Sequence, residues 1–166
     1  MAESTNGQSV PSTTYVAHLW DFPDLTLAIF GMQVSAPDGY ERYEAANIPA
    51  QMEESLGQAP GLLGMRYFQE GTGGLMLQYW RSHEDLANFS KRMPHMAWWK
   101  WLIDNEGQGF SFYHEIYTCK TAEAIFETGT TPVGPGTFCK LSPTELGGGR
   151  SVERQRLFTE AAARKS

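Results

Sequence analysis

Two histidines stand among aromatic and aliphatic neighbours, and imidazoles in such company are the first residues that could do chemistry. On a helix opening at Pro94, His95 shares a face with Trp98, Trp99 and Leu102, at offsets of three, four and seven residues. On a strand beginning at Phe110, period-two alternation groups His114 with Phe110, Phe112 and Ile116. Ser111, Tyr113, Glu115 and Tyr117 then point the other way. An imidazole in an apolar stripe loses hydration, which lowers its pKa and favours the neutral form. Neutral imidazole can ligate a metal or act as a general base. The candidate catalytic pair is therefore His95 and His114, with Trp98, Trp99, Leu102, Phe110, Phe112 and Ile116 as the substrate-binding wall.

A lone histidine among aromatics is more often a satisfied core residue, and only the pairing on adjacent elements lifts these two above that background. His83 follows a helix cap and reads as surface, and His18 lies in a loop. Glu115 must face away from His114 on a regular strand. Its expected part is structural, an ion pair to the helix layer with Arg81 or Lys100. Arg81 could clamp a carboxylate or bridge to Glu84 or Asp85.

The common hydrolase, phosphate-loop and zinc-protease motifs are missing. Gly71, Gly73 and Gly74 join two strands instead of opening a helix, so a dinucleotide fingerprint is unsupported. Cys119 and Cys139 lack zinc or redox spacing, and one isolated disulfide stays open. The net charge of -6 and the scatter of 13 Lys and Arg argue against nucleic acid. The densest cationic run, Arg150 to Lys165, is broken by Glu153 and Glu160 and reads as a solvated tail. There is no secretory signal and no apolar run near membrane-span length, so the expectation is a soluble cytoplasmic protein.

The elements that must position these residues follow from the apolar pattern. Residues 1–14 are small and polar and are expected to be disordered. Leu25 to Val34 is continuously apolar, a strand covered on both faces with a bulge expected at Gly31. Glu41 to Leu56 has helical periodicity interrupted at Pro49, giving a kink or two short helices. Leu62 to Gln69 and Leu75 to Arg81 flank the glycine turn as a hairpin. Ser82 caps a helix to about Arg92, a second helix runs from Pro94 to Asp104, and Phe110 to Cys119 alternates as the last long strand.

The order β-α-β-β-α-β is ferredoxin-like, an α+β fold assigned to residues 15–131. One face of such a sheet lacks helices. With apolar residues on both strand faces, a homodimer closing an α/β barrel would cover it. Residues 132–166 are expected to form an arm or lid, with a terminal helix from Val152 to Arg164; the stretch from Thr121 to Leu141 reads as loop. Aromatics make up 13% of the chain, more than packing needs, so some should line a cavity or interface.

Residues Leu75 to Tyr117 resemble a family of small monooxygenase-like proteins in the dimeric α/β-barrel, antibiotic-biosynthesis-monooxygenase group. The matching positions are Gln78, Tyr79, Trp80, Arg81, Ser82, Glu84, Asp85, Leu86, His95, Trp98 or Trp99, His114, Glu115 and Tyr117. Beyond them the family's Tyr-Glu-x-Ile-Tyr becomes Ala122-Glu123-Ala124-Ile125-Phe126, and Gln33 stands where members often carry Arg. The His95-to-His114 layout also resembles the haem-containing aldoxime dehydratases. That second resemblance implies haem b ligated by His95, with His114 as distal acid/base. Three functions compete on this reading: a haem-dependent enzyme on a small hydrophobic metabolite, a cofactor-free monooxygenase or isomerase using His114 or His95 as base, and a non-catalytic binding protein of a biosynthetic pathway.

Overall fold

The computed structural model describes residues 13–165, so the expectation for the N-terminal segment falls, up to residue 12, outside the described residues. In chain order the first elements are β1 (Thr14–Ala17), β2 (Thr26–Val34), α1 (Pro37–Ala45), α2 (Ile48–Gly57), β3 (Leu62–Glu70) and β4 (Gly73–Trp80). They are followed by α3 (His83–Ser90), α4 (His95–Asp104), β5 (Phe110–Thr118), β6 (Ile125–Glu127), β7 (Leu141–Pro143) and α5 (Ser151–Ala163). From β2 to β5 the pattern is ferredoxin-like with each helix doubled, and the antiparallel sheet has the order β3-β4-β2-β5.

The apolar continuity of β2 follows from its place between β4 and β5. Ala28, Met76 and Trp80 pack with Leu56 and Leu86 under the helices. A second cluster gathers Tyr43, Ile48, Trp98 and Leu102 against Phe30 and Phe112. The helix layer thus covers the face that carries His114, the alternate residue to Phe112 on β5. Glu115 points to the face without these helices, which corrects its expected ion pair to the helix layer. Among the described residues Glu115 makes no ion pair and accepts a hydrogen bond from Tyr117 Oη at 2.6 Å. Lys100 pairs instead with Asp104 at 2.7 Å.

Three further local expectations change. Gly31 pairs in unbroken register with Leu75 and Tyr113, so it is no bulge; the irregularity falls between Leu62 and Gly64 on β3. Gly31 is glycine because the Tyr113 ring lies on it, and an added Cβ would come within 2.0 Å of Cζ. The break between α1 and α2 is at Asn47, whose φ of 55° is left-handed, a conformation asparagine tolerates. Pro49 sits in the first turn of α2, where its missing N–H has no partner to lose. The Ser82 cap is as expected: its Oγ accepts from the Asp85 N–H at 3.1 Å and donates to Asp85 Oδ2 at 2.9 Å.

A second sheet, order β6-β1-β7, takes strands from both ends of the described chain, two of them in segments read as loop or N-terminal margin. Next to it packs α5, whose Phe158 is 0% exposed against Leu19 and Leu25. The cationic run is not simply a solvated tail: Arg154 is buried, paired with Glu123 at 2.9 Å and donating to the Gly148 carbonyl at 2.7 Å. Phe138 lies 5.4 Å from the Tyr79 ring and 5.5 Å from Phe22, so this arm packs on its own chain at one end of the helix-free face. Cys119 and Cys139 are free thiols beside the same cluster.

Candidate active site

His95 is the first residue of α4, and the helical spacing turns His95, Trp98 and Leu102 toward the sheet. His114 sits in register opposite Phe30 of β2. Both imidazoles line one cavity of about 440 Å³, together with Phe30, Met52, Gln78, Phe89, Trp98, Leu102 and Ile116. Trp99, Met96 and His83 also line it, and all three are exposed, so they lie at its rim. His83 is thus a surface residue, as expected, but one at the mouth of the site. Among the described residues none after Ile116 lines the cavity, so the arm from β7 to α5 does not roof it.

The structure brings together His95, His114, Trp98, Trp99, Leu102 and Ile116. It leaves out Phe110 and Phe112. Four residues along a strand span about 13 Å, and Phe110 lies that far from His114. There it stacks on Trp101 at 5.5 Å and 12°, while Phe112 packs 5.7 Å from Tyr43. Period two put the pair on the right face, but the aromatic cluster at that end fills the space they would have lined.

The electrostatics favour neutral imidazoles. Burial lowers the His95 pKa from its usual value; the nearby Ser90 backbone pulls the other way without completing a hydrogen bond, and His114 lowers it further. Burial of part of its ring likewise lowers His114, although that residue keeps an exposed edge. A proton on one ring therefore disfavours a proton on the other. The His95 Nδ1 is buried without a hydrogen-bond partner, and its ring meets Phe89 at 5.4 Å and Trp98 at 5.9 Å, both edge-on.

Gln78 is the functional candidate that sequence reasoning missed. It is 7% exposed and lines the cavity. Trp80 Nε1 donates to its Oε1 at 2.8 Å, which fixes which end of the amide is the donor. The Nε2 group is left with only the Met76 thioether at 3.7 Å, a weak acceptor. A buried amide donor without a proper acceptor, next to two neutral imidazoles, can stabilise negative charge developing on a bound oxygen. The sequence signal was a polar residue in an apolar strand two positions before a tryptophan.

In class this is a ferredoxin-like α+β protein with its cavity between sheet and helices. More narrowly, the chain belongs to the Monooxygenase af470-like family, whose model matches residues 25–134. Among solved structures it is similar to a mutant form of SnoaB, a cofactor-independent oxygenase from Streptomyces nogalater. That match has 12% identity, a TM-score of 0.46, and covers 60% of this chain and 96% of that one. It is also similar to the aldoxime dehydratase OxdRE in complex with butyraldoxime, at 16% identity and a TM-score of 0.63. That second likeness, which speaks for the fold alone, covers 98% of this chain and 47% of the other, so the chain spans about half the dehydratase's length. The shared fold therefore takes in the second sheet and α5 as well as the ferredoxin-like core. No curated protein matches the chain by sequence. Among the described residues no helix is long and apolar enough to cross a membrane, and no cluster of three or more His, Cys, Asp or Glu could hold a metal ion.

The haem implied by the second resemblance can be tested against the lining. His95 offers a neutral imidazole, which suits an axial ligand. The remaining lining does not suit the group: among the described residues it contains no Arg or Lys to pair with two propionates. The residues present do not complete a haem site.

Proposed function

We propose that the protein is a cofactor-free monooxygenase acting on a small hydrophobic substrate, with His114 as the base. The observation that carries this reading is the pair of neutral imidazoles facing one apolar cavity beside an unspent amide donor. Substrates that suit it carry an acidic CH₂ next to an aromatic or carbonyl system, as anthrones do. His114 takes a proton from that carbon, and the oxyanion that develops on the conjugated carbonyl receives the Gln78 Nε2–H. His95 stays neutral while His114 is charged, which keeps one mobile proton in the site. The apolar walls exclude water and leave the anion electron-rich. It gives one electron to O₂, and the two radicals combine into a C–O bond. The hydroperoxide formed after protonation loses its carbon-bound hydrogen as the O–O bond breaks, and the His114 proton leaves in water. One CH₂ and one O₂ become one ketone and one H₂O, with no outside reductant.

Oxygen uptake by metal-free, haem-free protein with an anthrone tests this directly. We expect turnover that His114→Ala lowers at least about a hundredfold. Activity that follows bound iron, or a haem absorbance shift lost in His95→Ala, would restore the haem reading. Tight binding of the anthrone without oxygen uptake would make the protein a carrier.

We further propose that the helix-free face is covered by a second copy of the chain. It presents Phe68 and Tyr117, 39% and 53% exposed, beside Leu75 and Leu77, a surface apolar enough for a homodimer. Sedimentation should show a dimer, and Tyr117→Asp should weaken it.

A further inference from the structure

A second concavity of about 1090 Å³ lies between α1, α2 and the β3–β4 hairpin. Phe30 and Met52 line both it and the histidine cavity, so the two spaces meet at those side chains under the helix layer. Phe30 is the register partner of His114, which places the junction about one strand spacing, ~5 Å, from the imidazole. Met52 is held by Tyr43, whose hydroxyl donates to the sulfur at 3.4 Å. An unbranched thioether adapts its rotamers readily, so a partition of one ring and one methionine can part around a chain of atoms.

The charge of the combined lining narrows what could lie there. Among the described residues Glu53 is the one charged side chain along the groove, and the histidine cavity adds no Lys, Arg, Asp or Glu. Tyr67, held toward its protonated form first by burial and then by Glu53, supplies a neutral hydroxyl to the groove. A carboxylate or phosphate placed here would be desolvated without a cation and set against Glu53. A neutral apolar body meets no such penalty.

Resting on the oxygenase reading above, we propose that the substrate is an elongated, uncharged apolar molecule. Its reacting head lies at His95 and His114, and its body passes between Phe30 and Met52 into the groove.

Binding of 4-n-alkylphenols from ethyl to nonyl, followed by quenching of tryptophan fluorescence in the full chain, tests this without turnover. Affinity should climb about fourfold per added methylene. Met32→Trp and Ala50→Trp, which fill the groove at positions outside the histidine cavity, should each end the climb at a shorter chain. Ala50 is exposed on α2, so its variant remains informative if Met32→Trp does not fold. Alkylbenzoates of equal length should bind at least about tenfold more weakly. Affinity indifferent to tail length, a climb that both tryptophans leave intact, or equal binding of the benzoates overturns the proposal. Absence of all alkylphenol binding removes the oxygenase cavity together with the extension. A flat length dependence alongside His114-dependent oxygen uptake removes the extension alone.

Discussion

On β5, His114 and Glu115 are neighbours in sequence and belong to opposite worlds. The His114 side is roofed by helices, and there burial pushes the imidazoles toward their neutral forms. On the Glu115 side no helix intervenes, and carboxylates act as hydrogen-bond acceptors for tyrosines: Glu115 for Tyr117, and Glu70 for Tyr113. One face uses burial to tune proton affinity, whereas the other uses polar pairing to hold aromatic rings in place. A single strand can serve both because alternation separates its environments by one residue.

The contrast can be broken by experiment, and the largest expected effect is on the helix-covered face. Trp80 is 0% exposed and fixes Gln78, so Trp80→Ala should lower unfolding stability by about 3–5 kcal/mol in denaturant titrations. Tyr117→Ala, measured at dilution where any dimer has dissociated, should cost less than about 1 kcal/mol. Next comes activity: His114→Ala should reduce kcat/KM by about 10² or more, whereas Glu115→Ala stays within about threefold. Equal losses would mean that the two faces form one site.

Gly31→Ala forces a methyl into the Tyr113 ring and should cost about 1–3 kcal/mol. Adding Tyr113→Ala should recover part of that loss, since the clash needs both side chains. The smallest effects are in pH dependence, and they have opposite signs on the two faces. His95 and His114 have folded pKa values below the ordinary 6.5. Stability is therefore full above that value and falls as pH drops through 6.5, where the unfolded chain takes up protons the folded one refuses. The acid limb of kcat/KM should likewise lie below pH 6.5. Tyr113 is pushed up to about 12, first by its hydrogen bond to Glu70, so its contribution is present below pH 10 and lost as pH rises toward 12. Absorbance titration of tyrosinate in wild type and Tyr113→Phe reads this directly.

Much of the main sheet was legible because long strands leave long signals. Nine residues in β5 and ten in α4 give periodicity room to declare itself, and the pairing of His95 with His114 rests on those two patterns. Alternation says which residues share a face but not which face the helices will take, so spacing alone does not put Glu115 on the helix-free side. The strands β1, β6 and β7 have only three or four residues each, too few to distinguish pattern from chance. Gln78 was hidden for another reason. Its meaning depends on Trp80 occupying one end of its amide, a fact of side-chain packing rather than of spacing.

The middle place of β1 in the second sheet also sets an order of events during synthesis. Thr13, beside that strand, exchanges hydrogen bonds with Thr128, 115 residues further on. A ribosome must therefore release the whole ferredoxin-like core before β1 meets β6, and still more chain before β7 closes its other edge. Through that interval a short strand waits with both edges unpaired while local contacts assemble the main sheet ahead of it. The second sheet and α5 are accordingly the last part of the molecule to close. In native-state hydrogen exchange they should be the first to open.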